Sequence, residues 1–250
     1  ESGLQLYLQP QLEALSGRCV GAEGLLRWQR HNGEWVSPPE LLAAIERLGL
    51  RQRFNRWLFL NAGQICHKLA LSDVLITLSI NLSANDLLDS EVPDLLEQAL
   101  RTWNVPAENM RLEITETSMV QDTVSVIDVL LRLRKLGASL SIDDFGTGYS
   151  SISNLQNFPV QEVKIDRSFI SHIVESERDR EIAGSMIRLS HRLGKHVVAE
   201  GVETVEVAEH LLAMGCEYLQ GFLFSPAIPL NEFMLWYQLR ALPHPALQPV

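Results

Sequence analysis

Short apolar or alternating runs recur along the chain at Leu4 to Leu8, Cys19 to Leu25, Ile76 to Leu82, Met110 to Thr115, Leu140 to Asp143, Glu162 to Asp166, His196 to Ala199 and Cys216 to Leu219. Runs of this length predict strands. Between most of them the apolar residues recur three and four apart, as on one helix face, most clearly at Val124 to Leu136 and Asp179 to Leu193. Two further helical stretches, Pro38 to Leu48 and Gln52 to Ala70, separate the second and third strands. Ser90 and Pro93 ahead of Leu95, and Gly194 behind Arg192, mark a helix start and a helix end. Strands alternating with helices predict an α/β fold with a mostly parallel sheet, and eight such strands close most economically into a TIM-like (β/α)8 barrel. The link between the first two strands is too short for a crossover helix, so the first strand is expected to run antiparallel.

Composition narrows the class. The chain has 250 residues, 46% hydrophobic and 21% charged, enough for a sizeable core, and no linker-like stretch divides it. A single domain over residues 1–250 is expected, excised from a larger signalling protein because the chain opens Glu1-Ser2-Gly3. With 21 Lys and Arg against 31 Asp and Glu, the net charge of -10 opposes binding to DNA, RNA or an anionic membrane. No apolar run reaches the roughly 20 residues of a membrane span. Cys19, Cys66 and Cys216 lack metal-ligand spacing and predict buried thiols in a reducing, cytoplasmic compartment.

In a (β/α)8 barrel the functional residues stand at the C-terminal strand ends. Polar residues do follow the apolar runs there: Glu23, Asn81, Glu113, Asp143 with Asp144, Lys164, Glu200 and Gln220. Any one carboxylate on a strand is ordinarily a solvated edge or an ion-pair partner. Together, these strand ends would converge on one mouth, where five carboxylates repel one another unless cations neutralise them. All-oxygen donors favour Mg²⁺ or Mn²⁺ over zinc. Adjacent Asp143 and Asp144 suit two ions sharing one carboxylate, an arrangement that activates water for in-line phosphoryl displacement.

Lys164, between Val163 and Ile165, would ordinarily point to solvent; at a metal mouth it can orient the attacking water or offset phosphoryl charge. Arg27 has a fork that matches phosphate oxygens. Asp144-Phe145-Gly146 by itself suggests a kinase, but no Gly-rich loop precedes it and His191-Arg192-Leu193 lacks the catalytic Asp.

The motifs Glu23-Gly24-Leu25-Leu26-Arg27-Trp28, Asn81-Leu82-Ser83, Leu112-Glu113-Ile114-Thr115-Glu116, Asp143-Asp144-Phe145-Gly146-Thr147-Gly148-Tyr149, Val163-Lys164-Ile165-Asp166, Ala199-Glu200-Gly201-Val202-Glu203 and Gln220-Gly221-Phe222 resemble, in collinear order, the EAL-domain phosphodiesterases. The resemblance implies hydrolysis of cyclic di-GMP to linear pGpG with two Mg²⁺ or Mn²⁺ ions. It assigns Glu23, Asn81, Glu113 and Asp143 to one ion, and Asp143, Asp144 and Glu200 to the other. Glu200 or a bridging Asp becomes the proton acceptor and Lys164 the lysine beside the nucleophilic water. Gln9, Leu25, Arg27, Asp166, Glu203 and Gln220 match positions near the substrate. Phe145, Gly146, Thr147 and Gly148 match a regulatory loop tied down by Glu116, beside the surface of an expected homodimer.

The chain departs from the family pattern at Gly24, where alanine is usual, and at Ser225-Pro226-Ala227, where a basic residue commonly follows the serine. Neither removes a ligand. A catalytically silent cyclic di-GMP receptor is the alternative reading, disfavoured because every matched ligand is retained. A third, an enolase-like enzyme with Lys164 as base, fits the paired aspartates less well.

Overall fold

The computed structural model describes residues 3–116, 123–147, 155–156 and 158–241. Its strands are β1 (Leu4–Glu13), β2 (Cys19–Gln29), β3 (Trp35–Val36), β4 (Thr77–Leu82), β5 (Met110–Thr115), β6 (Ser139–Phe145), β7 (Glu162–Ile165), β8 (His196–Ala199) and β9 (Tyr218–Gln220). The helices are α1 (Pro38–Arg47), α2 (Arg51–Leu71), α3 (Val92–Trp103), α4 (Thr123–Leu136), α5 (Arg167–Ile170), α6 (Glu177–Arg192), α7 (Val205–Ala213) and α8 (Leu230–Ala241).

Eight strands close a barrel in the order β1-β9-β8-β7-β6-β5-β4-β2, with β2 pairing back onto β1. β2 and β4 to β9 run parallel; β1 is antiparallel to both neighbours, as the short first connection requires. The two-residue strand β3 pairs with the far end of β2 outside this ring and has no counterpart in the sequence pattern.

β1 continues to Glu13, five residues beyond its expected end. Pro10 accounts for the shortened expectation, because proline cannot donate to a ladder. It is tolerated because its nitrogen faces a gap: Leu8 exchanges hydrogen bonds with Ile228 on that side, and pairing with β9 begins only at Gln11. The expected last strand, Cys216 to Leu219, lies one to two residues later, at Tyr218–Gln220.

The strands separate two environments by simple alternation. On the outer face Leu78, Ile80, Leu112, Ile114, Ile142 and Val163 are fully buried, and they belong to one apolar core with Phe59 and Ala62 of α2, Leu96 of α3 and Leu130 of α4. A second cluster joins Ile165, Val197 and Ala199 to Ala183 and Ile187 of α6 and Leu211 of α7. The inner face instead carries buried Gln11, Glu23, Ser79, Glu113, Ser141, Glu162, Lys164 and Gln220. Branched apolar side chains usually fill such a lumen. Here it is polar.

The thiols of Cys66 and Cys216 are buried and that of Cys19 is half-buried; burial pushes all three up to about 12. Among the described residues no helix is long and apolar enough to cross a membrane.

Candidate active site

Lys164 stands at the centre of the mouth, fully buried. Its Nζ lies 2.6 Å from Glu113 Oε2, 2.7 Å from Glu200 Oε1, 3.0 Å from Asp143 Oδ1 and 3.2 Å from Glu23 Oε2. The bland expectation of a solvent-facing lysine is thus wrong: β7 alternates Val163 and Ile165 outward, which turns Lys164 into the lumen. Burial by itself would drive off its proton. The carboxylates of Glu113, Glu200, Glu23 and Asp143 outweigh burial and hold its pKa well above the ordinary lysine value.

One ammonium does not balance that many carboxylates, and the surplus is visible. Burial, reinforced by the charges of Glu23 and Asp143, raises Glu113 well above the carboxylate range against the pull of Lys164. Burial likewise raises Glu200, to about 7, with Lys164 opposing and Asp143 and Glu23 adding. Glu23 goes the other way. Its burial is outweighed by Lys164 and by hydrogen bonds from Gln220 Nε2 at 2.7 Å and Asn81 Nδ2 at 2.7 Å.

Successive side chains on a regular strand point to opposite faces, so neighbouring aspartates need a local exception to share a site. Asp144 supplies it with φ of 55°, in the left-handed region, where the β6–β7 register also slips between Ile142 and Phe145. Asp is among the few non-glycine residues that tolerate this conformation, and strain of this kind gathers at functional sites. Burial, Asp143 and Asp166 raise the Asp144 pKa.

The structure therefore brings together the acidic residues singled out from the sequence. Glu23, Glu113 and Asp143 each offer an oxygen within 4.8 Å of the others, and so do Asp143, Asp144 and Glu200, with Asp143 common to both groups. Asn81 touches Glu23. Glu113 Oε1 is buried with no hydrogen-bond partner, which is the condition of a ligand atom awaiting a cation. The all-oxygen donor set fits a hard divalent ion.

A cleft of about 270 Å³ opens beside these groups, lined by Gln9, Leu25, Glu203 and Gln220 from the expected substrate set. Arg27 and Asp166 do not line it. Arg27 packs its guanidinium 5.8 Å from the centre of the Tyr7 ring and donates to the Leu26 carbonyl at 2.8 Å, and Asp166 caps α5 by accepting from Ser168 N at 3.0 Å. Arg167, Gly201, Gly221 and Phe222 line the cleft without having been expected. Arg167 pairs with Glu203 at 2.9 Å, and its stem occupies the space a side chain at Gly201 would need, where φ is 67°. Its position directly after the strand-end Asp166 was the available signal.

Glu116 accepts a hydrogen bond at 2.8 Å from Gly146 N, and Thr147 N donates to Asp144 O at 3.2 Å. Gly148 lies outside the described residues.

Fold and site together define a class: an α/β barrel whose polar mouth at the C-terminal strand ends carries paired acidic clusters suited to divalent cations. The sequence model of the EAL domain matches residues 1–227, and the chain belongs to that family. It is 40% identical over 240 residues to an uncharacterized protein of Azorhizobium caulinodans, covering 91% of this chain and 32% of that one. It is 36% identical over 233 residues to cyclic di-GMP phosphodiesterase PA2567 of Pseudomonas aeruginosa, covering 92% of this chain and 39% of that one. The chain thus spans 32% and 39% of the length of these two relatives. Among solved structures, the PaMucR phosphodiesterase in complex with c-di-GMP superposes with a TM-score of 0.86 at 33% identity, over 92% of this chain and 94% of that one.

Proposed function

We propose that this chain hydrolyses cyclic di-GMP, water adding to one phosphorus as its P–O3′ bond breaks, to give linear pGpG. The observation that carries this reading is the pair of acidic groups sharing Asp143 around a buried lysine. Relatives named as cyclic di-GMP phosphodiesterases support the substrate.

Glu23, Asn81, Glu113 and Asp143 would hold one divalent ion, and Asp143, Asp144 and Glu200 a second. Mg²⁺ or Mn²⁺ bound there supplies positive charge to the phosphoryl oxygens and lowers the pKa of water. Lys164 fixes the oxygens of Glu113, Glu200, Asp143 and Glu23 in one geometry and adds its own charge to the mouth. Glu200, at the strand end and 2.7 Å from Lys164 Nζ, is the carboxylate placed to accept the proton that water loses. Gln9, Leu25, Glu203 and Gln220 orient the nucleotide in the cleft, while Arg27 stands ready on Tyr7 to meet the outer phosphate. Glu116 fastens the loop at Gly146, so displacement of this loop would move Asp144, and pairing of two chains beside it would regulate turnover.

The test is nucleotide chromatography after incubation with cyclic di-GMP in Mg²⁺, in Mn²⁺ and in chelator, with Glu23→Ala as control. Metal-dependent pGpG that vanishes in the control supports the reading. Binding without product would replace it with a receptor role.

A further inference from the structure

Below the metal-binding carboxylates the lumen contains a directed chain of hydrogen bonds. Its upper end is Gln220, whose Nε2 donates to Glu23 Oε2 at 2.7 Å and to Gln9 Oε1 at 3.2 Å. An amide can turn over and exchange oxygen for nitrogen, and only its neighbours fix which end faces the carboxylate. Gln220 is fixed from two sides: Gln9, whose own Nε2 donates to the Ser225 carbonyl at 3.3 Å, turns its Oε1 to the Gln220 nitrogen, and Gln11 Nε2 donates to Gln220 Oε1 at 2.9 Å from within the lumen. Gln11 is in turn fixed from below, because Arg111 Nη1 reaches its Oε1 at 3.4 Å and a guanidinium can only donate. Arg111 is held by Glu162 at 2.8 Å. Each link dictates the next, from an ion pair that cannot reverse its polarity to the carboxylate of Glu23.

The backbone is built to admit this chain. Gln11 stands between Gly21 on β2 and Gln220 on β9 in the strand register. A methyl at Gly21 would lie 2.8 Å from Gln11 Oε1, so the absence of a side chain there makes room for the amide. Gln11, Gln220 and Glu162 are all buried, which strengthens these bonds and makes an unpaired group costly.

We infer that Gln11 is a positioning residue for the metal centre: it fixes the Gln220 amide, which with Lys164 holds Glu23 Oε2 while Asn81 donates to Oε1, so that the carboxylate meets a cation in one orientation. This rests on the proposed metal site and extends it to residues that touch neither ion nor substrate. Partners of metal-binding groups at this remove typically contribute 10–100-fold to affinity.

Two substitutions separate positioning from packing. Gln11→Met keeps the length and loses both hydrogen bonds. Gln11→Glu keeps an acceptor for Arg111 but cannot donate to Gln220, so it preserves the floor of the chain and breaks the link above. Mn²⁺ binding is read by electron paramagnetic resonance of the free ion, without nucleotide, alongside the thermal midpoint. Both variants are expected to bind Mn²⁺ about tenfold more weakly, while the thermal midpoint in chelator reports any loss of packing separately. Gly21→Ala, which presses on Gln11 from the neighbouring strand, should weaken Mn²⁺ binding in the parent and add nothing to Gln11→Met. Parental Mn²⁺ affinity in both Gln11 variants overturns the inference even where the parent makes pGpG. Weakened affinity supports it even where the parent makes none.

Discussion

The outer and inner faces of the same strands follow opposite physics. On β5, Met110, Leu112 and Ile114 point outward into an apolar core, while Arg111 and Glu113 point into the lumen. The outer face gains from every contact, since removing apolar surface from water is favourable without regard to partner. The inner face gains nothing until each charge finds its own partner, because a buried unpaired charge costs several kcal/mol. Stability therefore comes chiefly from one face and chemical specificity from the other, and substitutions should separate them.

The largest effect is expected at Lys164, which touches four carboxylates. Lys164→Met removes their shared counter-charge, and breaking buried pairs from one side costs about 3–5 kcal/mol. The ion-free protein should unfold at a markedly lower temperature, with Mn²⁺ recovering part of the loss and pGpG formation falling by at least ~10²-fold. An unchanged midpoint in chelator would mean that the inner face does not depend on this lysine.

Phe59→Ala attacks the other face. Phe59 is fully buried in the core beneath α2, and deleting a buried aromatic costs about 3–5 kcal/mol. Here denaturant unfolding should report the whole loss, while Mn²⁺ affinity per folded molecule stays at the parental value. A matched loss of affinity would show that the two faces are coupled.

The difference between the faces also decides what could be read from the sequence. The strand ends were legible because a carboxylate interrupting an apolar run is conspicuous, and Glu23, Glu113, Asp143 and Glu200 all meet at the mouth. The polar positions two residues before Glu113 and Lys164, Arg111 and Glu162, obey the same alternation but read as ordinary strand residues. Nothing local tells an inward arginine from an edge one until the barrel closes. Helices α7 and α8 escaped notice for a related reason. α7 is nine residues long, and α8 mixes buried Phe233 with exposed Leu235 and Leu239, so neither presents a clean apolar stripe. Arg27 and Asp166, which the resemblance places near the substrate, make local contacts to Tyr7, Leu26 and Ser168 that no sequence pattern shows.

The inner face should also make stability depend on pH in an unusual direction. Glu200 has its pKa raised by burial from 4.5 to about 7, so between these values the folded protein binds more protons than the unfolded chain. Its contribution is present below pH 4.5 and is lost as pH rises toward 7. Glu113 acts in the same direction, and Glu23, whose pKa is lowered, acts in the opposite one. In chelator, thermal midpoints should fall between pH 5 and pH 7.5, and Glu200→Gln should flatten that slope. A slope untouched by the substitution would place the titration elsewhere.

The smallest effect is expected at Gly24, which sits on the boundary between the faces. Its neighbour Glu23 points inward, whereas a methyl on Gly24 would meet Ile80 and Leu78 at 3.5 and 3.7 Å on the outer side, and the Ser79 carbonyl at 3.3 Å. The first two contacts are ordinary packing, and the third asks the strand to yield by a few tenths of an ångström. Gly24 does not occupy the left-handed region, so alanine carries no backbone strain and reduces the freedom of the unfolded chain. Gly24→Ala should therefore raise stability by about 0.5 kcal/mol in denaturant unfolding, with Mn²⁺ affinity and pGpG formation unchanged. A loss of stability with parental affinity would show that β2 and β4 cannot part even that far. A change in affinity would show that the methyl on one face moves Glu23 on the other, and that the barrel wall does not insulate them.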